Sequence, residues 1–219
     1  MKLPQRQKIL RQSRLYAILD SAYLPSDSAF IKKTAELLRA GVRLFQLRLK
    51  NESHNRVRSL VELVAPTIHA QRGLLILNDY AAWAAELPVD GVHVGQDDLS
   101  VSDVRMIIGS QRLVGLSTHS LDQVRAAKIV QPDYIGFGPL YSTQTKPDYP
   151  PIGLEKIREA THYIDPIPLF CIGGITLERL PSVIAAGAQR VVIVSALLNA
   201  ENSEAYARQV IERLSSLSS

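Results

Sequence analysis

The sequence predicts an α/β fold, a single (β/α)8 TIM barrel, and three observations lead to this prediction. Eight short apolar runs alternate with segments of helical periodicity, which indicates βαβ units and a parallel sheet. Most of these runs lack polar alternation, as is typical of strands covered on both faces. The 219 residues, 46% hydrophobic and 21% charged, suit one large globular domain. A doubly wound open sheet is the structural alternative.

The predicted strands lie in a barrel domain of residues 14–219, which follows a basic N-terminal tail of residues 1–13. In chain order they are Leu15–Leu19, Leu44–Leu47, Leu74–Leu77, Gly91–Val94, Leu113–Leu116, Tyr134–Phe137, Leu169–Ile172 and Val191–Val194. Between these runs, apolar residues recur at three- and four-residue intervals, as amphipathic helices require.

Helix start and stop signals support this alternation of strands and helices. A serine side chain can accept a hydrogen bond from the free N–H groups of a first turn, and glycine commonly ends a helix. The predicted N-caps are Ser53, Ser100 and Ser120, and the predicted ends are Gly41, Gly109 and Gly187.

The formal net charge of +4 does not indicate a nucleic-acid-binding surface. Five of the 25 lysine and arginine residues lie within the first 14 positions, where no acidic residue occurs. Residues 15–219 therefore carry 20 basic against 21 acidic side chains. Because the basicity is concentrated in the tail, nucleic acid is not an expected partner.

The sequence also predicts the cellular setting. No segment has the roughly 20 consecutive apolar residues of a membrane span, and the first residues lack the apolar stretch of a secretory signal. The one cysteine, Cys171, lies in an apolar run and is predicted to be a buried thiol. We therefore expect a cytoplasmic protein without a membrane partner. The oligomeric state stays open, a homo-oligomer included.

Polar side chains follow the predicted strands at the ends where barrel active sites lie. Gln46, Arg48 and Lys50 alternate along the second strand and its extension, so all three are expected to face the barrel mouth. Two inward-facing cations need an anionic partner, and a phosphate or diphosphate group suits them. Structural ion pairs with Asp20, Asp79 or Asp98 are the alternative.

Two carboxylates follow neighbouring strands and predict a magnesium site. Asp79 comes directly after the third strand, and Asp98 follows the fourth. Carboxylates without soft ligands nearby suit Mg²⁺, which binds one or two of them together with substrate phosphates. Asp97 stands beside Asp98, and spacing alone does not separate the two. Capping the next helix is the alternative role for Asp79.

Two further segments are candidates for phosphate binding. Hydroxyls and an ammonium group in a long loop suit a phosphate-gripping lid, although a solvated loop has the same composition. Backbone N–H groups after the seventh and eighth strands of a barrel commonly bind phosphate, although glycines there also serve tight turns. The residues are Thr143, Thr145 and Lys146 in the long loop, and Gly174, Val194 and Ser195 at the ends of the two strands.

The histidines show no spacing typical of metal ligands, and His119 is the one placed at the mouth. Ser117 has no evident histidine beside it in a nucleophile arrangement, so covalent catalysis is not expected. Ser117 is instead predicted to form a hydrogen bond with a ligand.

Together these motifs resemble those of the thiamine phosphate synthase family. The matching stretches are YAILD (16–20), GVRLFQLRLK (41–50), ILND (76–79), DGVHVGQDDL (90–99), GLSTHS (115–120), DYIGFGPLYSTQTK (133–146), IGGIT (172–176) and VVIVSAL (191–197). They cover the barrel in order. The resemblance implies transfer of an aminopyrimidine-methyl group from its diphosphate to the nitrogen of a thiazole phosphate, by a dissociative mechanism that releases diphosphate.

The resemblance also implies roles for individual residues. The expected contacts to the pyrimidine diphosphate are Gln46, Arg48, Lys50, Asn78, Ser117 and Lys146, of which Lys50, Ser117 and Lys146 are the expected catalytic residues. The expected Mg²⁺ ligands are Asp79 and Asp98. The expected thiazole-phosphate contacts are Thr143, Thr145, Gly174, Val194 and Ser195.

The chain departs from the family pattern at Ile152, where relatives often have glutamine, at Leu49, and in its basic tail. Three alternatives remain: a thiazole tautomerase of the same barrel family, a phosphosugar isomerase or epimerase, and a non-catalytic thiazole-phosphate binder. A tautomerase has no use for a diphosphate–Mg²⁺ site. The residues that favour the synthase over it are Lys50, Asp79, Asp98 and Lys146.

Overall fold

Eight parallel strands close into a barrel in chain order, with each strand paired to its sequence neighbours and β8 paired to β1. The structure is a computed structural model that describes residues 1–143 and 150–216. The strands are β1 (Leu15–Asp20), β2 (Leu44–Arg48), β3 (Leu74–Asn78), β4 (Gly91–Val94), β5 (Leu113–Thr118), β6 (Tyr134–Phe137), β7 (Leu169–Cys171) and β8 (Val191–Ile193). The predicted (β/α)8 barrel is confirmed, and the open-sheet alternative is wrong.

Helices surround the barrel, and they begin and end close to the predicted start and stop signals. They are α1 (Leu3–Gln12), α2 (Asp27–Arg39), α3 (His54–Ala70), α4 (Ala81–Glu86), α5 (Val101–Ile108), α6 (Leu121–Val130), α7 (Ile157–Ile164), α8 (Leu180–Ala185), α9 (Ser195–Leu198) and α10 (Ser203–Ser215). The side chains of Ser53, Ser100 and Ser120 cap α3, α5 and α6 as predicted. Among the helices that the structure describes, none has the length and hydropathy needed to cross a bilayer.

Two apolar layers hold the fold together. One lies between the strands and the helices, and it includes Cys171, whose thiol is fully buried as predicted. Burial raises the pKa of that thiol to about 12, which keeps it protonated and unreactive. The other layer fills the barrel interior, where the rings of Tyr16, Tyr134 and Phe170 meet edge to face.

The N-terminal segment, predicted to be a basic tail, contains α1, which covers the N-terminal end of the barrel. Leu10 is 1% exposed and packs among the interior residues. The Nε atom of Arg6 donates to Asp90 at 2.8 Å, and Gln7 donates to Asp133 at 3.2 Å. The barrel interior is therefore closed at the N-terminal ends of the strands and opens at their C-terminal ends.

Candidate active site

A cavity of about 360 Å³ lies at the C-terminal ends of the strands. Its wall contains residues of every strand except β7, which contributes through Ile172 and the residues directly after it, so the whole barrel takes part in one site. Eight of the predicted site residues line it: Gln46, Arg48, Asn78, Ser117, Thr143, Gly174, Val194 and Ser195. Thr145 and Lys146 lie outside the described residues.

Arg48 provides the cation on the β2 side of the cavity. Its Nη1 atom donates to the buried Asp20 carboxylate at 2.7 Å, which is one of the ion pairs considered as the alternative. Asp20 also accepts from the N–H group of Ala22 at 2.9 Å. The pair fixes the guanidinium at the cavity wall, and a guanidinium carries further N–H groups that suit an anion.

Lys50, Asp79 and Asp98 lie at the rim, outside the cavity lining. Lys50 Nζ donates to Asp79 Oδ2 at 2.5 Å, and half of the Lys50 side chain is exposed. The Asp98 carboxylate accepts from the N–H group of Gly95 at 2.7 Å. The backbone of Asp79 continues the pairing of β3 with β4, because its N–H group donates to His93 O at 2.9 Å. The two aspartates therefore follow neighbouring strands, as predicted.

The donor set of this rim fits a hard cation. Asp79 and Asp98 offer only oxygen atoms, and the described residues contain no group of three or more potential metal ligands. Mg²⁺ is suited to such a sparse site, since it keeps several waters and completes its shell with phosphate oxygens. A structural zinc site would need four closely placed protein ligands.

A chain of buried hydrogen bonds runs through the barrel interior to Ser117. Gln46 Nε2 donates to the hydroxyl of Tyr16 at 2.7 Å, and the hydroxyls of Tyr16 and Tyr134 lie 2.8 Å apart. The Tyr134 hydroxyl lies 3.2 Å from Nδ1 of His93, and Nε2 of that ring lies 2.9 Å from Ser117 Oγ. Burial raises the pKa of both tyrosines, so both hydroxyls keep their protons.

The structure places His93 beside Ser117, a contact that the sequence does not reveal. The two residues are 24 positions apart and meet because β4 and β5 are neighbours in register, with His93 paired to Gly115. The arrangement still differs from a nucleophile triad, because a tyrosine hydroxyl and not a carboxylate contacts the other ring nitrogen. Sequence spacing gives no sign of this pair.

The wall of the cavity after β7 contains a glycine turn and a second arginine. Gly174 has φ +63°, and a Cβ there would lie 2.8 Å from Tyr141 Cβ, so a side chain at this position would meet the loop after β6. Arg179 Nη1 donates to Gly174 O at 2.8 Å and lies over the Tyr141 ring. Arg179 lines the cavity and adds a cation that the motifs did not single out.

His119 and Ile152 are the two remaining residues that the sequence analysis singles out near the barrel mouth. His119 lines the cavity, and its Nδ1 atom lies 2.5 Å from the carbonyl oxygen of Gly138. Ile152 packs against the apolar layer between strands and helices, and its N–H group donates to Pro139 O at 2.8 Å. The residue that departs from the family pattern thus has a packing role.

The fold and the site together define a class: (β/α)8 barrels with a polar cavity at the C-terminal ends of their strands. Within this class, the chain belongs to the thiamine monophosphate synthase family, whose model matches residues 15–197.

Curated relatives support this membership. Thiamine-phosphate synthases of Acidothermus cellulolyticus and Lawsonia intracellularis are each 39% identical to this chain, over 94% and 86% of it and 96% and 86% of their own lengths. A Synechococcus thiamine-phosphate synthase is 37% identical over 96% of this chain. The chain spans only 59% of the length of that relative.

Solved structures agree on the fold. Thiamine phosphate pyrophosphorylase from Pyrococcus furiosus superposes with a TM-score of 0.85 at 24% identity, covering 95% of this chain and 98% of that one. A 3-hexulose-6-phosphate synthase superposes with a TM-score of 0.64 at 13% identity, covering 90% and 97%. Barrels with different reactions thus share this architecture, and the reaction must be argued from the site.

Proposed function

We propose that the protein is a thiamine phosphate synthase. It couples 4-amino-2-methyl-5-hydroxymethylpyrimidine diphosphate with 4-methyl-5-(2-phosphoethyl)thiazole and yields thiamine monophosphate and diphosphate. One observation carries the proposal: a single cavity is lined both by residues matched to the pyrimidine substrate, such as Arg48 and Asn78, and by residues matched to the thiazole phosphate, such as Gly174 and Ser195. The family's curated relatives are named for this activity.

The proposed reaction breaks the bond between the pyrimidine methylene carbon and the diphosphate oxygen, which leaves with the electron pair. The thiazole nitrogen then supplies its lone pair to the methylene cation and forms the new C–N bond. No side-chain nucleophile takes part. The protein's task is to hold both substrates in line and to stabilise the departing charge.

The residues divide this task by position. Arg48, held by Asp20, offers N–H groups to the diphosphate, and Lys50 and Lys146 are proposed to add positive charge to it. Asn78 and Gln46 are proposed to contact the pyrimidine side. Asp79 and Asp98 would hold Mg²⁺, and the metal when bound would neutralise diphosphate charge.

The other wall is proposed to hold the thiazole phosphate. Gly174 and Ser195 offer backbone N–H groups, while Thr143 and Thr145 offer hydroxyls. Arg179 is close enough to the same wall to add charge. We place the protein in the cytoplasm, where a buried thiol such as Cys171 stays reduced.

The deciding experiment mixes purified protein, Mg²⁺ and both substrates and detects thiamine monophosphate and diphosphate by mass. Asp79→Asn should lower turnover on the order of a hundredfold while leaving thiazole-phosphate affinity nearly unchanged, because the metal meets the other substrate. The matched control is Asp122→Asn, which alters an exposed carboxylate on α6.

Each outcome separates the candidates. Product that disappears with Asp79→Asn but persists with Asp122→Asn supports both the reaction and the metal site. No product from a protein that still binds the thiazole phosphate would favour the tautomerase or the non-catalytic binder. Equal losses of turnover and thiazole-phosphate affinity would contradict the role given to Asp79.

A further inference from the structure

A second concave surface lies at the N-terminal end of the barrel, opposite the candidate active site. It has a volume of about 600 Å³ and lies between α1, α10 and the segments that precede β1, β2 and β3. Its charged lining residues are Lys8, Arg14, Arg43 and Arg72, and we call it the basal groove. Among the described residues, no carboxylate side chain lines it.

The sheet itself gathers these cations on one side of the barrel. Arg14 and Arg43 immediately precede β1 and β2, and each extends the strand pairing: Arg14 O accepts from Val191 N at 2.9 Å, and Arg43 O accepts from Leu74 N at 2.8 Å. Since β8, β1, β2 and β3 are consecutive neighbours, arginines placed before them converge.

On the opposite side of this N-terminal end of the barrel, the charged side chains are paired with one another. Asp90 and Asp133 precede β4 and β6, and both are paired. Asp90 accepts from Arg6 Nε at 2.8 Å and lies 2.9 Å from His69 Nε2, while Asp133 accepts from Arg105 Nη2 at 2.9 Å.

The basal groove differs in this respect. Within the described residues, no carboxylate forms an ion pair with Lys8, Arg43 or Arg72. The positive charge also affects a neighbour, because burial and then the charge of Arg14 lower the pKa of Arg190, which precedes β8. Clustered like charges are unfavourable until an anion meets them.

One cation of the basal groove is held in place before any ligand arrives. Arg43 is partly buried, and its Nη1 atom donates to Leu38 O at 3.0 Å and to Val42 O at 2.8 Å. A guanidinium anchored on one side keeps its other N–H groups for an anion and loses less conformational entropy on binding.

We propose that the basal groove binds a small polyphosphate anion. Guanidinium groups match the geometry of phosphate oxygens, and the amides of Gln5, Gln12 and Gln71 add neutral donors around them. The volume lies within the range of small-molecule sites. No aromatic side chain lines the groove in the described part of the chain, so it offers no stacking surface for a nucleobase. This site is separate from the proposed catalytic cavity and does not depend on its reaction.

The test is a calorimetric titration of the full chain with inorganic triphosphate at low ionic strength. The groove variant is Lys8→Gln/Arg72→Gln, and both residues are exposed, so folding should be retained. The control is Lys32→Gln/Lys156→Gln, which makes the same change in charge at exposed positions elsewhere. We expect the groove variant to weaken binding by about tenfold or more and the control to stay within about twofold of the unmodified protein. Equal affinity of the groove variant and the unmodified protein would overturn the proposal.

A second measurement locates the anion. In amide nuclear magnetic resonance spectra, triphosphate should move the signals of Ser13, Gly41 and Gln71 in the unmodified protein and not in the groove variant. Shifts confined to Gly173 and Gly174 at the mouth would overturn the basal site while leaving the proposed synthase function intact. Arg72→Gln alone should give an intermediate affinity; an unchanged affinity would remove Arg72 from the site.

Discussion

The hydrogen bonds that end at Ser117 have one consistent direction. Tyr16 accepts from the amide of Gln46, so its own proton is available for Tyr134. Tyr134 can then donate to Nδ1 of His93, which leaves the proton of that ring on Nε2, facing Ser117. With this tautomer, His93 Nε2 would donate to Ser117 Oγ, and the Ser117 hydroxyl hydrogen would be available to a ligand in the cavity.

This direction makes Tyr134 a positioning residue with a testable role. Tyr134→Phe keeps the ring but removes the donor to His93, and we expect turnover to fall by about tenfold. If Tyr134 acts through Ser117, the same change in a Ser117→Ala background should add little further loss. Independent, multiplicative losses would show that Tyr134 acts otherwise, and Tyr163→Phe on α7, whose side chain is exposed, is the control.

Lys50 carries a separate prediction at the rim. Lys50→Ala removes a positive charge beside Asp79 and should raise the KM for the pyrimidine diphosphate by about tenfold, with less effect on the thiazole phosphate. Steady-state kinetics with each substrate varied in turn measure the split. Lys32→Ala on α2 is the matched control, and unchanged kinetics would exclude Lys50 from the site.

At the scale of elements, a glycine in β5 provides the space that the hydrogen-bonded side chains of Tyr134 and His93 occupy. A Cβ at Gly115 would overlap the ring and hydroxyl of Tyr134 and approach Nδ1 of His93 within 2.5 Å. Gly115 therefore lets a tyrosine from β6 occupy the barrel interior. A glycine in a buried strand is otherwise unfavourable, and here it serves a close approach.

Gly115→Ala tests this. The added methyl group should lower the free energy of unfolding by about 1 to 3 kcal/mol, since a filled interior accommodates extra atoms poorly. Chemical denaturation is the measurement. Gly136→Ala on β6 is the matched stability control, because a Cβ there comes no nearer than 3.7 Å to His93. Equal costs at the two positions would mean that crowding against Tyr134 is not the cause.

At the scale of the whole molecule, Asp90 ties together parts that are distant in sequence. Its carboxylate accepts from Arg6 on α1, lies beside His69 on α3 and accepts from the N–H group of Leu75 on β3. Burial acts to raise the pKa of Asp90, but these hydrogen bonds outweigh it and leave the pKa below its ordinary value. The folded protein therefore binds the Asp90 proton more weakly than the unfolded chain does.

The sign of this shift sets the expected pH dependence. The stabilisation is fully present above the ordinary carboxyl pKa, about 3.9, and is lost as the pH falls through the lower pKa of the folded state. Asp90→Asn should thus lower the free energy of unfolding by about 2 to 3 kcal/mol at pH 7. The difference from the unmodified protein should shrink below about pH 4. Denaturation curves across this range measure it, with Asp122→Asn as control; a constant difference would contradict the assignment.

Much of the fold follows from local pattern, because the apolar runs and serine caps act within a few residues. The eight strands were predictable for this reason, and the residues after them lie at one mouth. The contacts that could not be predicted from the sequence depend on strand register and on packing. His93 meets Ser117 only through the alignment of β4 with β5, and α1 looks polar until Leu10 enters the barrel. Arg179 lines the cavity but lies outside the matched stretches of sequence, directly before α8.

The packing of Leu10 and the aromatic rings in the barrel interior determines how ligands can enter and leave the cavity. With the N-terminal end of the barrel packed solid, the cavity is a dead end. The two substrates and two products of the proposed reaction would then share one entrance. A ligand at the bottom of the cavity would then have to leave after any ligand bound nearer the mouth.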